Sequence, residues 1–194
     1  MPKMRERYST VAILLHWLIA VMIIGMVVMG IYMTGLPDAR MSEKFELYQL
    51  HKSFGITVLL LSLIRLGWRL THRAPPLPAE MPGWEQWAAR LTHVAFYLLM
   101  IGIPLSGWAM VSASPWNLPT VLFGTIDWPH LPYFSTVADK PATEGMLKDL
   151  HEALAFGTVA LLLLHVAAAL KHHFIEGDDV LARMLPLIGK REKE

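Results

Sequence analysis

The run HEALAFGTVALLLLHVAAALK, His151 to Lys171, decides the fold. It is apolar between a histidine at its head and a second histidine fourteen residues on. At about 1.5 Å and roughly 100° per residue, fourteen residues make just under four helical turns. His151 and His165 therefore share nearly one face, on the order of 21 Å apart along the axis. The hydrocarbon core of a bilayer is about 30 Å thick. A spanning helix here holds one imidazole near each membrane surface, both turned inward. Polar groups at such depth are costly and mark function. Two of them on one face, at opposite depths, point to two cofactor sites stacked across the membrane.

Composition agrees with a membrane chain. Of 194 residues 54% are hydrophobic and 17% charged, against about 25% charged in soluble domains. One domain, residues 1–194, is expected. The net charge of +1 argues against a nucleic-acid partner. There is no cysteine, which excludes disulfides, zinc–thiolate sites, thiolate-held iron–sulfur clusters and covalently attached c-type haem.

Four spans are expected, at about 11–34, 47–70, 84–111 and 148–174, with an outer loop at 112–147. The basic start MPKMRERYST precedes an uncharged run too long for the apolar core of a signal peptide, roughly 7–15 residues, so it reads as a retained first helix. The second span carries Lys52 at its head and Arg65 and Arg69 near its end, positions from which long side chains snorkel to the interfaces. THRAPPLPAEMPG, Thr71 to Gly83, is a loop. Pro104 is expected to bend the third span, which membrane helices tolerate. The tail is charged, with one amphipathic turn expected over 180–187. Arg40, Lys44, Lys52, Lys140 and Lys148 fall on one side, and the other twelve of the 17 Lys and Arg on the side of the termini. The positive-inside rule then puts both termini in the cytoplasm and the long loop outside.

With that topology each histidine acquires a depth. His51 and His151 lie near the outer surface, His16 and His165 near the inner one. A low-spin b-type haem takes two imidazoles from facing helices of a bundle, and the sequence supplies two such pairs. Zinc generally asks for a third or fourth protein ligand, and neither pair has a nearby Asp or Cys. Glu152 adjoins His151 but sits about 100° round the helix. The competing reading of any one membrane histidine is a hydrogen-bonding partner of a neighbouring helix. His93, about two turns into the third span, has nearly the depth of His16, so by depth alone it is an alternative partner for His165. The expected architecture is all-α: a membrane-spanning four-helix bundle with two haem groups in its core.

At these residues the chain resembles the bacterial cytochrome b561 family of di-haem inner-membrane cytochromes. The matching stretches are LLHW (14–17), LHKSFG (50–55), the HE at 151–152 with LH at 164–165, and AAALKHHF (167–174). The resemblance covers essentially the whole chain. It implies His16, His51, His151 and His165 as ligands of two haem b irons and leaves His93 out. It further implies electron transfer between the membrane faces and the quinone pool. In one bacterial type superoxide is oxidised on the periplasmic side and ubiquinone is reduced. Related cytochromes serve instead as the quinone-side subunit of hydrogenases or other dehydrogenases.

On this reading haem propionates need cationic or hydrogen-bonding partners near the interfaces. Tyr48 and Lys52 are placed for the outer haem, and Arg7, Arg65 and Arg69 for the inner one. Trp17, His172 and His173 are the quinone candidates at the cytoplasmic end. The most fitting activity is a superoxide:quinone oxidoreductase. The alternatives are an electron conduit for a periplasmic or membrane dehydrogenase, and a haem-free transporter relaying protons through its histidines.

Overall fold

A computed structural model describes residues 7–185 of the chain. Lys3, Arg5, Lys190, Arg191 and Lys193, which entered the charge count, lie outside the described residues, as do the last two residues of the expected amphipathic turn. The described residues are mostly helical. Four helices are long and apolar enough to cross a membrane.

Helix α1 spans Thr10–Gly35, and its first turn is capped by Ser9, whose hydroxyl accepts from the Ala12 amide at 3.3 Å. It is apolar on every side, and among its residues only Ile19 and Met33 are buried, as suits a helix facing lipid. Helix α2 spans Met41–Thr71. It starts ahead of the expected Leu47, after a single 3-10 turn at Asp38–Arg40. No Gly or Pro interrupts 38–54, and Glu43 in the first turn pairs with Arg40, so charge alone did not stop the helix. The buried face of α2 includes Ser53, Ile56, Val58, Leu59 and Ser62. Small residues at such an interface let backbones approach closely.

Helix α3 spans Gly83–Ala113 with Pro104 inside it. The expected loop at 112–147 contains structure of its own. Strands β1 (Thr120–Leu122) and β2 (Ile126–Trp128) pair antiparallel as a hairpin, followed by the short helix α4, Pro132–Ser135. The turn depends on two consecutive left-handed residues, Phe123 at φ 50° and Gly124 at φ 71°. Helix α5 spans Lys140–Lys171, eight residues ahead of the expected start at 148. Asp139 caps it by accepting from the Ala142 amide at 3.0 Å, and Pro141 suits the first turn. A five-residue π turn, His172–Glu176, and helix α6, Val180–Met184, close the described chain.

The bundle is held by α1 on α2, α2 on α3, and most extensively α3 on α5. At the end carrying the loop, the hairpin is pinned to α2. Gln49 and Lys52 both donate to the Pro119 carbonyl, at 2.9 and 3.0 Å, and buried Ser53 accepts from the Phe123 amide at 2.9 Å. Ser112 of α3 accepts from the Leu131 amide at 2.9 Å. At the opposite end Trp68 donates to Ser9 at 3.0 Å and ties α2 to the start of α1.

Candidate functional site

Helix α5 carries His151 and His165 on one uninterrupted α-helix. At the hairpin end His51 of α2 meets His151, ring centroids 6.3 Å apart and planes at 71°. At the end of the termini His16 of α1 meets His165, again at 6.3 Å, with planes at 62°. Two imidazoles holding one metal ion from opposite sides, at nitrogen–metal distances of about 2 Å, put their centroids on the order of 6 Å apart. Both pairs have that separation.

The helices that supply each pair do not pack closely on one another. Helix α5 rests on α3, whereas α1 and α2 make at most marginal contact with α5. Packed helices stand about 8–10 Å apart, too close for two imidazoles with a flat macrocycle between them. This bears on His93. Its ring lies 6.2 Å from that of His165, so distance does not separate it from His16. Packing differs between the two, because a plate between His93 and His165 would have to part α3 from α5, the most extensive contact in the bundle.

The surroundings fit a haem held by imidazoles. The Nδ1 of His151 lies 3.0 Å from the Ile103 carbonyl and 3.0 Å from the Ser106 hydroxyl. That hydroxyl itself donates to Ile103 at 2.8 Å. A carbonyl only accepts, so Nδ1 carries the proton and Nε2 keeps its lone pair for a metal. Two glycines face the same pair of rings. A Cβ on Gly107 would come within 3.1 Å of His151 Cε1, and one on Gly30 within 3.6 Å of His51 Cε1. The Nδ1 of His51 is buried without a hydrogen-bond partner, so the orientation of the pair is fixed from the His151 side.

The residues expected to meet propionates are occupied in specific ways. Lys52 donates to Pro119. Arg65 donates to the Ala12 carbonyl at 2.8 Å and approaches His16 Nδ1 at 3.4 Å, so it also crosslinks α2 to α1 one turn before His16. A charged group in a span satisfied by a backbone carbonyl is the usual way such a residue is tolerated. Arg69 lies on the same end of α2, Arg7 just ahead of α1, and Tyr48 is partly exposed one turn before Lys52.

The three quinone candidates separate. Trp17 packs edge-on to His16 at 5.2 Å, and its indole donates to the Met184 carbonyl at 2.9 Å. His173 packs edge-on against Phe174. His172 is engaged by carboxylates on both sides of its ring: Glu176 and Asp178 at Nδ1, 2.5 and 2.7 Å, and Glu85 at Nε2, 3.7 Å. Sequence reasoning missed Glu85, Ser106 and the Ile103 carbonyl. The spacing of Glu176 four residues beyond His172 was the one visible signal of that cluster.

Comparison with known proteins gives a consistent result. The family model described as prokaryotic cytochrome b561 matches residues 7–187. Cytochrome b561 homolog 2 of Escherichia coli (strain K12) is 38% identical over 93% of this chain and 92% of its own length. Cytochrome b561 homolog 1 of the same organism is 28% identical over 93% and 98%. The probable superoxide oxidase CybB of Yersinia pestis is 31% identical over 94% of this chain and 98% of its own.

Proposed function

Because the chain belongs to the prokaryotic cytochrome b561 family, and is therefore an integral membrane cytochrome that binds haem b and transfers electrons, we propose that it carries two haem groups and oxidises superoxide at the expense of ubiquinone. Haem b, when bound, supplies the one-electron chemistry. In this reading His51 and His151 would hold one iron, and His16 and His165 the other. The whole chain acts as one cytochrome domain in the bacterial inner membrane, with both termini cytoplasmic and the hairpin end periplasmic.

The observation that carries the reading is the equal 6.3 Å separation of two imidazole pairs, each drawn from helices that do not pack closely on one another. Ile103 and Ser106 hold His151 in the tautomer a metal requires. The apolar residues of α1, α2, α3 and α5 keep water out of the space between. The haem-free proton relay does not suit a cytochrome family.

Two superoxide anions each give up one electron and leave as dioxygen, and one quinone takes up two electrons and two protons to become quinol. Lys52 supports the donor side. It follows His51 directly in sequence, and among the described residues no carboxylate neutralises its ammonium, which donates to Pro119 alone. Arg40 and Lys44 are paired with Glu43 and Asp38 instead. An uncompensated cation at that end draws an anion toward the His51 pair. The similarity to a probable superoxide oxidase points the same way. The quinone is proposed at the opposite end, with Trp17, His172 and His173 as its candidate contacts.

A second reading, an electron-conduit subunit for a dehydrogenase, draws on the exposed Trp116, Phe123, Ile126 and Tyr133 of the loop, since exposed apolar groups together mark contact surfaces. Stopped-flow mixing of the oxidised protein with superoxide tests the choice. Reduction of the haem bands followed by quinol formation is expected. Haem bands that stay oxidised under superoxide but are reduced by a co-purifying dehydrogenase contradict the first reading and favour the second.

A further inference from the structure

Five side chains converge where α5 ends. Lys171, His172, Glu176 and Asp178 come from the last turn of α5, the π turn and the residues after it. Glu85 comes from the first turn of α3. The π turn puts His172 and Glu176 on one side of the chain. Gly177, at φ 66°, then reverses it, so that the Asp178 amide donates back to the His172 carbonyl at 3.1 Å. This returns the Asp178 carboxylate to the His172 ring. Local π geometry in a helix recurs at functional sites.

Glu85 is the telling member. It is 9% exposed, and its Oε2 is buried with no hydrogen-bond partner. That oxygen faces His172 Nε2 at 3.7 Å. The distance is too long for a hydrogen bond. It is what two ligands show when they share one metal ion at about 2.0–2.2 Å from each. The other ring nitrogen, Nδ1, is held by Asp178 and by Oε2 of Glu176, whose Oε1 instead meets Lys171 Nζ beside Glu85. A carboxylate behind a histidine whose far nitrogen binds a metal is the common way such a ligand is oriented. Ligand atoms of Glu85, His172 and Glu176 all lie within 4.8 Å of one another.

We propose that Glu85, His172 and Glu176 form a binding site for a divalent cation of the zinc class, with Asp178 orienting His172. The charge supports a dication. Three carboxylates, those of Glu85, Glu176 and Asp178, face one ammonium, that of Lys171. The carboxylates outnumber the ammonium by two, and Asp179 beside them is already paired with Arg183. One imidazole and carboxylate oxygens are donors suited to zinc or manganese. Lys171 donates to Glu85 and Glu176, both at 2.6 Å, and so stands between the same two carboxylates as a competing cation. Its side chain is 42% exposed, which leaves it a path to solvent when the metal enters.

The test is isothermal titration of the purified, haem-loaded protein, with any affinity tag removed, using Zn²⁺ alone. One saturable ion per chain is expected. Glu85→Gln should weaken it by about tenfold or more, and Asp178→Asn by about tenfold, as loss of an orienting partner does. Lys171→Met should tighten it by about tenfold, a gain that misfolding does not produce. Unchanged haem bands confirm that each variant is folded. No saturable binding to the wild type, or the same affinity in Glu85→Gln and Lys171→Met as in the wild type, overturns the proposal.

Discussion

His51 and His151 stand with ring centroids 6.3 Å apart, although α2 and α5, which carry them, make at most marginal contact. The same separation recurs between His16 and His165 at the other end of α5. Rings brought that close from helices kept apart are what a bridged pair looks like, and the following expectations come from that arrangement.

The His51–His151 end is sensitive at Gly107. A Cβ there meets His151 Cε1 at 3.1 Å and Nδ1 at 3.3 Å. Gly107→Ala should displace the ring by a few tenths of an ångström and shift the reduction potential of one haem. Gly107→Leu should remove that haem and leave the other. Gly102→Ala, with nothing within 4 Å of its Cβ, should do neither. Potentiometric titration of the haem bands separates the three variants.

Lys52 should set the salt dependence of the reaction with superoxide. Its ammonium is the cation next to His51 that no described carboxylate neutralises. Lys52→Gln should slow haem reduction by superoxide several-fold at low salt and flatten the fall in rate as salt rises, because screening acts on a charge that is no longer there. Stopped-flow rates across an ionic-strength series measure this. Equal slopes in the variant and the wild type count against steering by Lys52.

Ser53 should matter for stability rather than for electron transfer. It is 1% exposed, donates to the Gln49 carbonyl at 2.8 Å and accepts from the Phe123 amide at 2.9 Å. Ser53→Ala leaves that amide without its partner, a loss of about 1 kcal/mol. For a chain of this size that lowers the melting temperature by roughly 2–4 °C. Thermal unfolding in detergent checks it, with the haem content unchanged.

How far the sequence alone leads differs from element to element. The four long helices are legible because uncharged runs of bilayer length have few other uses. The depth of each histidine follows from counting along those helices, and that suffices to sort them into two levels. Counting does not separate His16 from His93, since depth carries no information on which helices touch. The packing of α3 on α5 is information of that kind, and it comes only with the fold. The early starts of α2 at Met41 and α5 at Lys140 are harder to see, because charged residues look like loop while obeying helix capping rules, as Asp139 and Pro141 show. The hairpin is missed for another reason. Its strands have three residues each, and it is held by Gln49, Lys52 and Ser53 from a distant part of the chain. The Glu85 cluster likewise joins residues 86 positions apart, beyond any local pattern.

Pyridine haemochrome analysis of the wild type, His16→Ala and His93→Ala, prepared alongside one another, tests the central claim most directly. Two haems per chain are expected in the wild type, one in His16→Ala and two in His93→Ala. A single haem in the wild type, or loss of a haem from His93→Ala while His16→Ala keeps both, contradicts it.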